Sequence, residues 1–513
     1  MRTMNNEQLT IDNGQLKRKL NINIIHYPLS IINLIFTGFF ILLFLVNSVP
    51  VNAQVPDRTK PPALGPTPSL KVNALQKFTL SNGLQVVVYE KKEVPIIQLN
   101  LVVKAGSVNE SSDKLGLAGM TANMMDEGAA GKTSLELSDE IDYLGADVGA
   151  NGGLHNSSVT LRSTVSKFDA ALKLFSDILL HPDFPASELE RLKKQYVTSL
   201  FQGFDQPRVI AAAATSSLVY GKEHQYGRTS AGNEKTITSF TVEDLKNFHS
   251  MYYRPNNSFL VVVGDVDAKE IVAKLETALG GWQKGDSKPA VIAKPKQVDG
   301  RTIYLIDKPE AAQSVIRVCR VGVDRMSQDY FPILVMNTIL GGSFTSRLNS
   351  NLREKNGYAY GANSGFSMRP LPGPFMAASD VQTDKTDKAL QEFMNELNGI
   401  SKPISDEELI KAKNYIALGY PDNFSSVGSI AYQIGEMIDY GLPENYFNEY
   451  IGKVMAVKKD DVRRVAKKYI DTDDLAIIIV GDKAKVEKGL KETKIGKIVN
   501  LVPTDVLGPM PKL

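Results

Sequence analysis

Apolar residues recur along the chain with two different spacings, and each spacing predicts one kind of element. Short apolar or alternating runs, such as Ile96 to Val103 and Phe259 to Val263, predict β-strands. Leu117, Met120 and Met124 recur three and four positions apart, which predicts a buried helix that begins after Gly116. Further helices are predicted over 135–144, 168–180 and 187–201, and strands from Asp147 toward Arg162 and over 475–480. A hairpin is predicted over 78–89, with its turn at Ser81-Asn82-Gly83. This interleaving of strands and helices predicts an α+β fold, with sheet on one side and helices on the other.

The second half of the chain repeats a pattern of the first half. In each copy a helix carries an aspartate, a tyrosine follows eight positions later, and a Gly-Asp pair follows an apolar strand, twenty positions after the aspartate. The matching residues are Asp244, Tyr252, Gly264 and Asp265 in the first copy and Asp461, Tyr469, Gly481 and Asp482 in the second. A repeat of this length predicts two homologous domains rather than a solenoid.

The segment between the two copies marks the predicted domain boundary. Gln283 to Gly300 contains Pro289, Pro295 and several lysines, without apolar periodicity. The predicted organisation is a signal peptide (1–53), a Pro-rich tether (54–70), an N-terminal domain (71–285), a linker (286–300) and a C-terminal domain (301–513).

The N-terminus has the layout of a secretory signal peptide. An apolar run from about Ile31 to Val46 follows three basic residues, Lys17, Arg18 and Lys19. Ala53 provides the small residue that precedes a signal-peptide cleavage site. We therefore expect cleavage after Ala53 and a periplasmic or secreted mature protein. The alternative is an uncleaved membrane anchor, because the apolar run is close to the shortest length that spans a bilayer.

Composition and charge exclude several classes of function. Of the 513 residues, 43% are hydrophobic and 23% charged, as in ordinary globular proteins, and the formal net charge of +2 gives no reason to expect a nucleic-acid partner. Cys319 is the only cysteine, so neither a disulfide within the chain nor a thiolate zinc site can form. No two of the five histidines lie four positions apart. We therefore expect this chain to bind no metal.

The stretch from Gly116 to Met125, with its flanks Ala105–Glu110 and Gly131–Ser134, resembles the pitrilysin, insulinase and mitochondrial-processing-peptidase family. In active members this helix carries the zinc motif H-x-x-E-H, with two histidine ligands and a glutamate base. A second glutamate, the third ligand, lies on a later helix. The equivalent positions in this chain are Gly119, Ala122, Asn123 and, by alignment on Asp205-Gln206-Pro207, Ser199. The resemblance therefore implies a peptidase-like chain whose metal site is lost.

The resemblance covers about residues 71 to 500 and also implies the fold. Two homologous domains, each a mainly antiparallel sheet backed by helices, are expected to face each other across a cleft. The glycine-rich strand around Ala146 to Val159 corresponds to a family edge strand that pairs with the substrate backbone. His155 is expected to be a half-exposed strand residue rather than a ligand. Asp126 and Glu127 are expected to be surface charges.

A second stretch of the resemblance lies in the C-terminal half. Residues 340–348 and 352–360 resemble the family segment whose arginine and tyrosine reach the zinc site of the facing domain, here Arg353 and Tyr360. An arginine fork can hold a peptide carbonyl or carboxylate, and a tyrosine hydroxyl can stabilise an oxyanion. The alternative is that Arg353 is a surface helix residue and Tyr360 a packed strand residue. Gly341-Gly342 is expected to allow hinge motion or close approach to substrate, or else to cap a helix.

Together these features predict a noncatalytic subunit of a secreted or periplasmic zinc-metallopeptidase-like heterodimer. Arg353 and Tyr360 would act with a homologous partner subunit that binds zinc, on a peptide substrate, without nucleic acid and without a membrane unless the leader is uncleaved. One alternative is a peptide-binding or scaffold protein of the same fold with no hydrolytic partner. Another is an independent hydrolase with a site of a different kind.

Overall fold

The computed structural model describes residues 65–512. The predicted signal peptide, the cut after Ala53 and most of the tether lie outside the described residues. Within that described range, no helix combines the length and the apolar character needed to cross a bilayer. Residues 66–512 belong to one compact unit, which contains two six-stranded sheets, one built by each half of the chain.

The strands of the first sheet are β1 (Gln76–Thr79), β2 (Gln85–Glu90), β3 (Ile96–Val103), β6 (Asp147–Gly152), β7 (Ser157–Thr164) and β8 (Ser258–Gly264). A separate small hairpin contains β4 (Gly128–Ala129) and β5 (Lys132–Thr133). The order of the strands in the first sheet is β1-β2-β8-β3-β7-β6. Only β2 and β8 pair in parallel within this sheet. The predicted hairpin is confirmed, and its turn contains Gly83 at φ +85°, a conformation that favours glycine.

One strand prediction is wrong in its extent. The segment from Asp147 toward Arg162 is not a continuous strand but the hairpin of β6 and β7, with Val148 opposite Leu161. Gly153 makes the turn possible, because a Cβ there would lie 2.7 Å from the carbonyl oxygen of Asn156. The turn places β6 at the edge of the sheet.

The strands of the second sheet are β9 (Arg301–Asp307), β10 (Gln313–Val321), β11 (Ala359–Phe366), β12 (Pro374–Gln382), β13 (Leu475–Gly481) and β14 (Lys497–Leu501). Their order in the sheet is β11-β12-β10-β13-β9-β14. The pairs β9–β13 and β9–β14 are parallel and the others antiparallel. The predicted α+β class, with mainly antiparallel sheets backed by helices, is confirmed.

The helices predicted in the first half are present, and the second half contains helices as well. In the first half they are α1 (Leu117–Met124), α2 (Ser134–Leu144), α3 (Phe168–Leu180), α4 (Ala186–Gly203), α5 (Pro207–Tyr220), α6 (Glu234–Ser239), α7 (Val242–Tyr252) and α8 (Ala268–Leu279). In the second half they are α9 (Tyr330–Leu340), α10 (Arg347–Asn349), α11 (Thr386–Gly399), α12 (Asp406–Gly419), α13 (Val427–Asp439), α14 (Tyr446–Ala456), α15 (Lys459–Tyr469), α16 (Lys483–Thr493) and α17 (Pro503–Leu507).

The repeated sequence pattern has a structural cause. Asp244 and Asp461 each accept a hydrogen bond from the backbone N–H of the residue that caps their helix, α7 or α15. Both helices have 11 residues and end at the repeated tyrosine. The apolar strands that follow, β8 and β13, are buried at every position, since they lie inside the sheets and are covered on both faces.

The two halves exchange one helix each. Helix α5 of the first half packs on β10 and β13 of the second sheet, where Ile210 and Ala214 contact an apolar cluster that includes Val315. Helix α13 of the second half packs on β3 and β8 of the first sheet, through Ile430 and Ile434. Each sheet therefore has helices of its own half on one face and a helix of the other half on the opposite face.

The segment between the two halves contains neither helix nor strand over residues 283–300. The absence of apolar periodicity in the sequence of this segment agrees with its irregular backbone. The exact boundaries at 71, 286 and 301 stay a prediction, because residues 66–512 form a single unit.

Candidate functional site

The N-terminus of helix α1, which carries the degenerate motif, is held by a buried glutamate. Glu110 accepts hydrogen bonds from the backbone N–H groups of Gly116 (2.9 Å) and Ala118 (2.7 Å). Gly116 has φ +94°, the left-handed region that favours glycine. Strand β6 approaches the helix so closely that a Cβ on Gly152 would lie 2.6 Å from the carbonyl oxygen of Ala118. These contacts fix α1 against the edge strand.

Burial makes Glu110 sensitive to pH. Its side chain lies inside the protein, and this desolvation raises its pKa to about 7, although the two N–H donors and Arg228 favour the charged form. The folded state therefore binds the proton more tightly than the unfolded chain. Protonated Glu110 therefore makes its full contribution to the free energy of unfolding below about pH 4.5. This stabilisation is lost as the pH rises to about 7.

Replacing Glu110 by glutamine is expected to flatten this pH dependence. The wild-type chain should lose about 3 kcal/mol more stability than Glu110→Gln between pH 4.5 and pH 8, because the amide does not titrate. The measurement is urea denaturation of both proteins across this range. Glu444→Gln serves as the control, since Glu444 pairs with Lys77 at the surface, and it should keep the wild-type slope. An identical slope for Glu110→Gln would show that Glu110 is ionised in the folded protein throughout.

Three of the four degenerate motif positions lie on α1, and the fourth, Ser199, lies on α4. Gly119 is half-buried, Ala122 is fully buried and Asn123 is exposed on α1. The Asn123 side chain donates a hydrogen bond to the Tyr196 hydroxyl on α4. Ser199 lies one turn further along the same helix and is exposed. Tyr196 is therefore the residue that faces Asn123, and sequence reasoning missed it although it precedes Ser199 by one helical turn.

These positions do not fit a zinc ion. A catalytic zinc needs three protein ligands, usually from histidine, cysteine or carboxylate side chains. The side chains at the four positions are a hydrogen, a methyl group, an amide and a hydroxyl. Across residues 65–512, no group of three or more histidine, cysteine, aspartate or glutamate residues is placed to hold a metal.

The prediction that Asp126 and Glu127 are surface charges is wrong. Both residues are half-buried at the end of α1. Glu127 forms an ion pair with Arg191 on α4, with 2.5 Å between Oε1 and Nη2, and burial raises the pKa of Asp126. The ion pair ties the end of α1 to α4 and holds the Glu127 side chain inward.

His155 lies in the turn between β6 and β7 and not on a strand as expected. It is half-buried, and its Nε2 lies 2.8 Å from the Tyr226 hydroxyl. Burial, together with the positive charge of Arg369, lowers the pKa of His155 to about 4. A neutral imidazole held by a tyrosine is a packing feature of this turn.

Arg353 and Tyr360 lie side by side in the second half. Arg353 belongs to a π-helical segment (Ser350–Lys355), and Tyr360 is near the start of β11. The guanidinium carbon of Arg353 lies 4.6 Å from the ring centre of Phe344 and 5.2 Å from that of Tyr360. Its Nε also lies 3.2 Å from Glu354 at the surface. Arg353 is thus held between two aromatic rings rather than extended into solvent.

The aromatic rings of this group are unusually open. Tyr360 is 88% exposed and Phe344 63% exposed. The alternative in which Tyr360 is a packed strand residue is therefore wrong. Exposed aromatic rings beside an arginine are the residue types that dominate protein interfaces.

A cavity of about 1100 Å³ opens beside Arg353 and Tyr360. Its walls come from the inner face of the second sheet, the loop at 341–344, Tyr415 on α12 and Arg208 on α5. None of positions 119, 122, 123 and 199 lines it. The arginine–tyrosine pair and the degenerate motif therefore do not share this cavity.

Gly341 and Gly342 permit a close approach within the chain. Gly341 ends helix α9, and its carbonyl oxygen accepts a hydrogen bond from the N–H of Ser364 on β11 (3.1 Å). A Cβ on Gly341 would lie 2.4 Å from that nitrogen. The expected helix end at Gly341 is confirmed. The backbone of Gly341 closely approaches the edge strand β11 of the same chain.

Comparison with known proteins gives two family matches. Residues 86–213 match the model of the insulinase family, peptidase family M16, and residues 239–416 match that of the peptidase M16 inactive domain. A protein of Rickettsia felis called an uncharacterized zinc protease is 25% identical over 403 residues, which cover 78% of this chain and 96% of the relative. A protein of Helicobacter pylori called non-peptidase homolog YmxG is 21% identical over 427 residues, covering 82% and 98%.

A solved structure is similar as well. The crystal structure of a peptidase M16 inactive domain from Pseudomonas fluorescens superposes with a TM-score of 0.75 and 29% identity, covering 79% of this chain and 98% of that one.

Proposed function

Because this chain belongs to the M16 peptidase family and has no metal ligand at its motif positions, we propose that it is the noncatalytic subunit of a zinc-peptidase heterodimer. The observation that carries the proposal is the contrast between its two site elements. The motif helix has lost every ligating side chain, whereas Arg353 and Tyr360 are present and adjacent, and Tyr360 is 88% exposed.

In this proposal the partner is a homologous chain with an intact motif, and its zinc supplies an activated water. This chain contributes one wall of the reaction chamber. The Tyr360 hydroxyl donates a hydrogen bond to the oxyanion that forms on the attacked carbonyl, and the Arg353 fork holds a neighbouring carbonyl or carboxylate of the peptide. Stacking on Phe344 keeps the guanidinium in place before the substrate arrives.

The edge strand β6 supports a role in substrate binding. An edge strand has one row of backbone groups without a neighbouring strand, and an extended peptide can add to it irrespective of its sequence. Helix α1, although degenerate, still packs on this strand. We propose that α1 is retained as a support for β6.

The proposed location is the periplasm or the cell exterior. The support is the leader sequence, with its basic residues, apolar run and small residue at Ala53. N-terminal sequencing of the mature protein should begin at Gln54. Recovery of residues before 47 in a membrane fraction would support the anchor instead.

A second candidate is a peptide-binding or scaffold protein without a hydrolytic partner. The relative called a non-peptidase homolog favours it. The two candidates differ in whether a zinc-bearing chain assembles with this one and becomes active.

Purified alone, the chain is expected to hold no stoichiometric zinc and to cleave no peptide. The physical reason is that glycine, alanine, asparagine and serine at positions 119, 122, 123 and 199 provide no set of three zinc ligands. Elemental analysis and a peptide-cleavage assay on the same preparation check both statements. One tightly bound zinc per chain, removed by a chelator together with activity, would overturn the proposal.

A further inference from the structure

Arg317 on β10 introduces a positive charge into the mainly apolar face of the second sheet that α5 covers. Along β10, residues at alternate positions point to the same face. Val315, Cys319 and Val321 belong to the apolar cluster under α5, and Arg317 lies in the middle of this row. Its neighbours across the sheet are Ala378 on β12 and Ile478 on β13. A guanidinium in such surroundings is unfavourable unless a partner compensates its charge.

Arg317 has little compensation inside the chain. Its Nη2 donates to the backbone carbonyl oxygen of Arg208 at 3.3 Å. Among residues 65–512, no carboxylate oxygen lies within 4.0 Å of its guanidinium nitrogens. The nearby carboxylate of Asp380 is engaged by Arg208 at 2.5 Å. Burial lowers the pKa of Arg317, which reflects the unfavourable position of the charge.

The free side of Arg317 faces the cavity beside Tyr360. The charged residues that line this cavity are Arg208, Arg317, Arg353 and Asp380, so positive charge dominates. Val315, Met376 and Ala378 give it an apolar floor. Its volume of about 1100 Å³ is at the upper end of ligand pockets, which is enough for several residues of an extended peptide.

We propose that this cavity is a subsite for a peptide carboxylate, with Arg317 as the residue that determines the specificity. The inference rests on the proposed function, in which a peptide passes Tyr360 to reach the cavity. A guanidinium forms a two-pronged hydrogen-bonded pair with a carboxylate, and the apolar walls strengthen it by excluding water. The carboxylate comes either from an acidic side chain or from the C-terminus of the peptide.

The test uses the full chain alone and four fluorescent hexapeptides. The peptides differ only in a central glutamate or glutamine and in a free or amidated C-terminus, and binding is followed by fluorescence anisotropy. A wild-type preference of about tenfold or more is expected for the peptide that carries the recognised carboxylate. The glutamate–glutamine pair reports on an acidic side chain, and the free–amidated pair reports on the C-terminus.

Arg317→Met should reduce this preference to about twofold or less, because methionine fills the apolar row but cannot bind an anion. Arg301→Met is the matched control on β9 of the same sheet; Arg301 pairs with Asp473 at the surface, and its loss should leave the preference intact. A purely structural Arg317 would instead lower the melting temperature without changing the preference.

Three results would overturn the inference: no peptide binding by the wild type, equal binding of all four peptides, or an unchanged preference in Arg317→Met. Should Arg317→Met fail to fold, Arg317→Lys carries the test, since lysine keeps the charge but not the fork. We expect at least a threefold loss of preference, and an unchanged one contradicts the subsite. Because the assay needs neither partner nor turnover, its failure is distinct from a failure of the proposed function.

Discussion

Replacing Tyr360 by phenylalanine is expected to slow peptide hydrolysis by the assembled heterodimer about a hundredfold or more. The change removes one hydroxyl and keeps the ring, so the stacking of Arg353 on that ring survives. Removing one oxyanion donor typically raises the barrier by about 2.7 to 4 kcal/mol, which corresponds to this loss of rate. The measurement is kcat for a peptide substrate with both subunits present and zinc content checked.

A matched control is available outside the cavity. Tyr143 on α2 is 81% exposed and does not line the cavity beside Tyr360. Tyr143→Phe should leave kcat within about twofold of the wild type. If Tyr360→Phe assembles, retains the partner's zinc and turns over like Tyr143→Phe, the hydroxyl of Tyr360 takes no part in the reaction.

Arg353→Ala is expected to raise KM and to lower kcat together. In the proposed function the guanidinium is a charge-assisted anchor for the substrate, and hydrogen bonds to charged groups contribute about 1.5 to 3 kcal/mol. The same change removes a neighbour of Tyr360, so the oxyanion donor also loses positional support. A combined loss in kcat/KM of about a hundredfold or more is expected.

Combining the Arg353 and Tyr360 substitutions distinguishes a positioning role of Arg353 from the loss of its charge alone. If Arg353 positions Tyr360, the double variant should lose less than the product of the two single effects. Lys355→Ala, an exposed residue of the same π-helical segment, serves as the control and should change neither constant. Unchanged kcat and KM in Arg353→Ala would show that Arg353 is a structural surface residue.

Much of the fold was predictable from the chain because local periodicity decides it. The strand Ile96–Val103 and the helix Phe168–Leu180 have the predicted bounds, since their apolar positions follow one period throughout. The hairpin of β6 and β7 was missed, because its glycines and polar residues carry no apolar period that would mark the turn. The exchange of α5 and α13 was not predictable, since an apolar helix face indicates burial but not which sheet covers it.

The candidate site was also predictable only where residues close together in the sequence define it. The loss of ligands at positions 119, 122 and 123 is visible in the sequence, because a motif has a fixed spacing on one helix. The contacts that give the site its shape join distant residues: Phe344 with Arg353, Tyr196 with Asn123, and Arg208 with the second sheet. The signal for Arg317 was present as a charge within an apolar run, but only the sheet shows that it faces a cavity.

We propose that this chain has no hydrolytic activity of its own and completes the active site of another chain. A titration of a purified zinc-bearing partner with this chain, at fixed partner concentration, tests the proposal while the rate of peptide hydrolysis is followed. We expect a low rate for the partner alone, a rise that saturates at a fixed ratio of the two chains, and the same ratio with a much lower plateau for Tyr360→Phe. A partner that cleaves peptides at the same rate with and without this chain would show that this chain takes no part in the reaction.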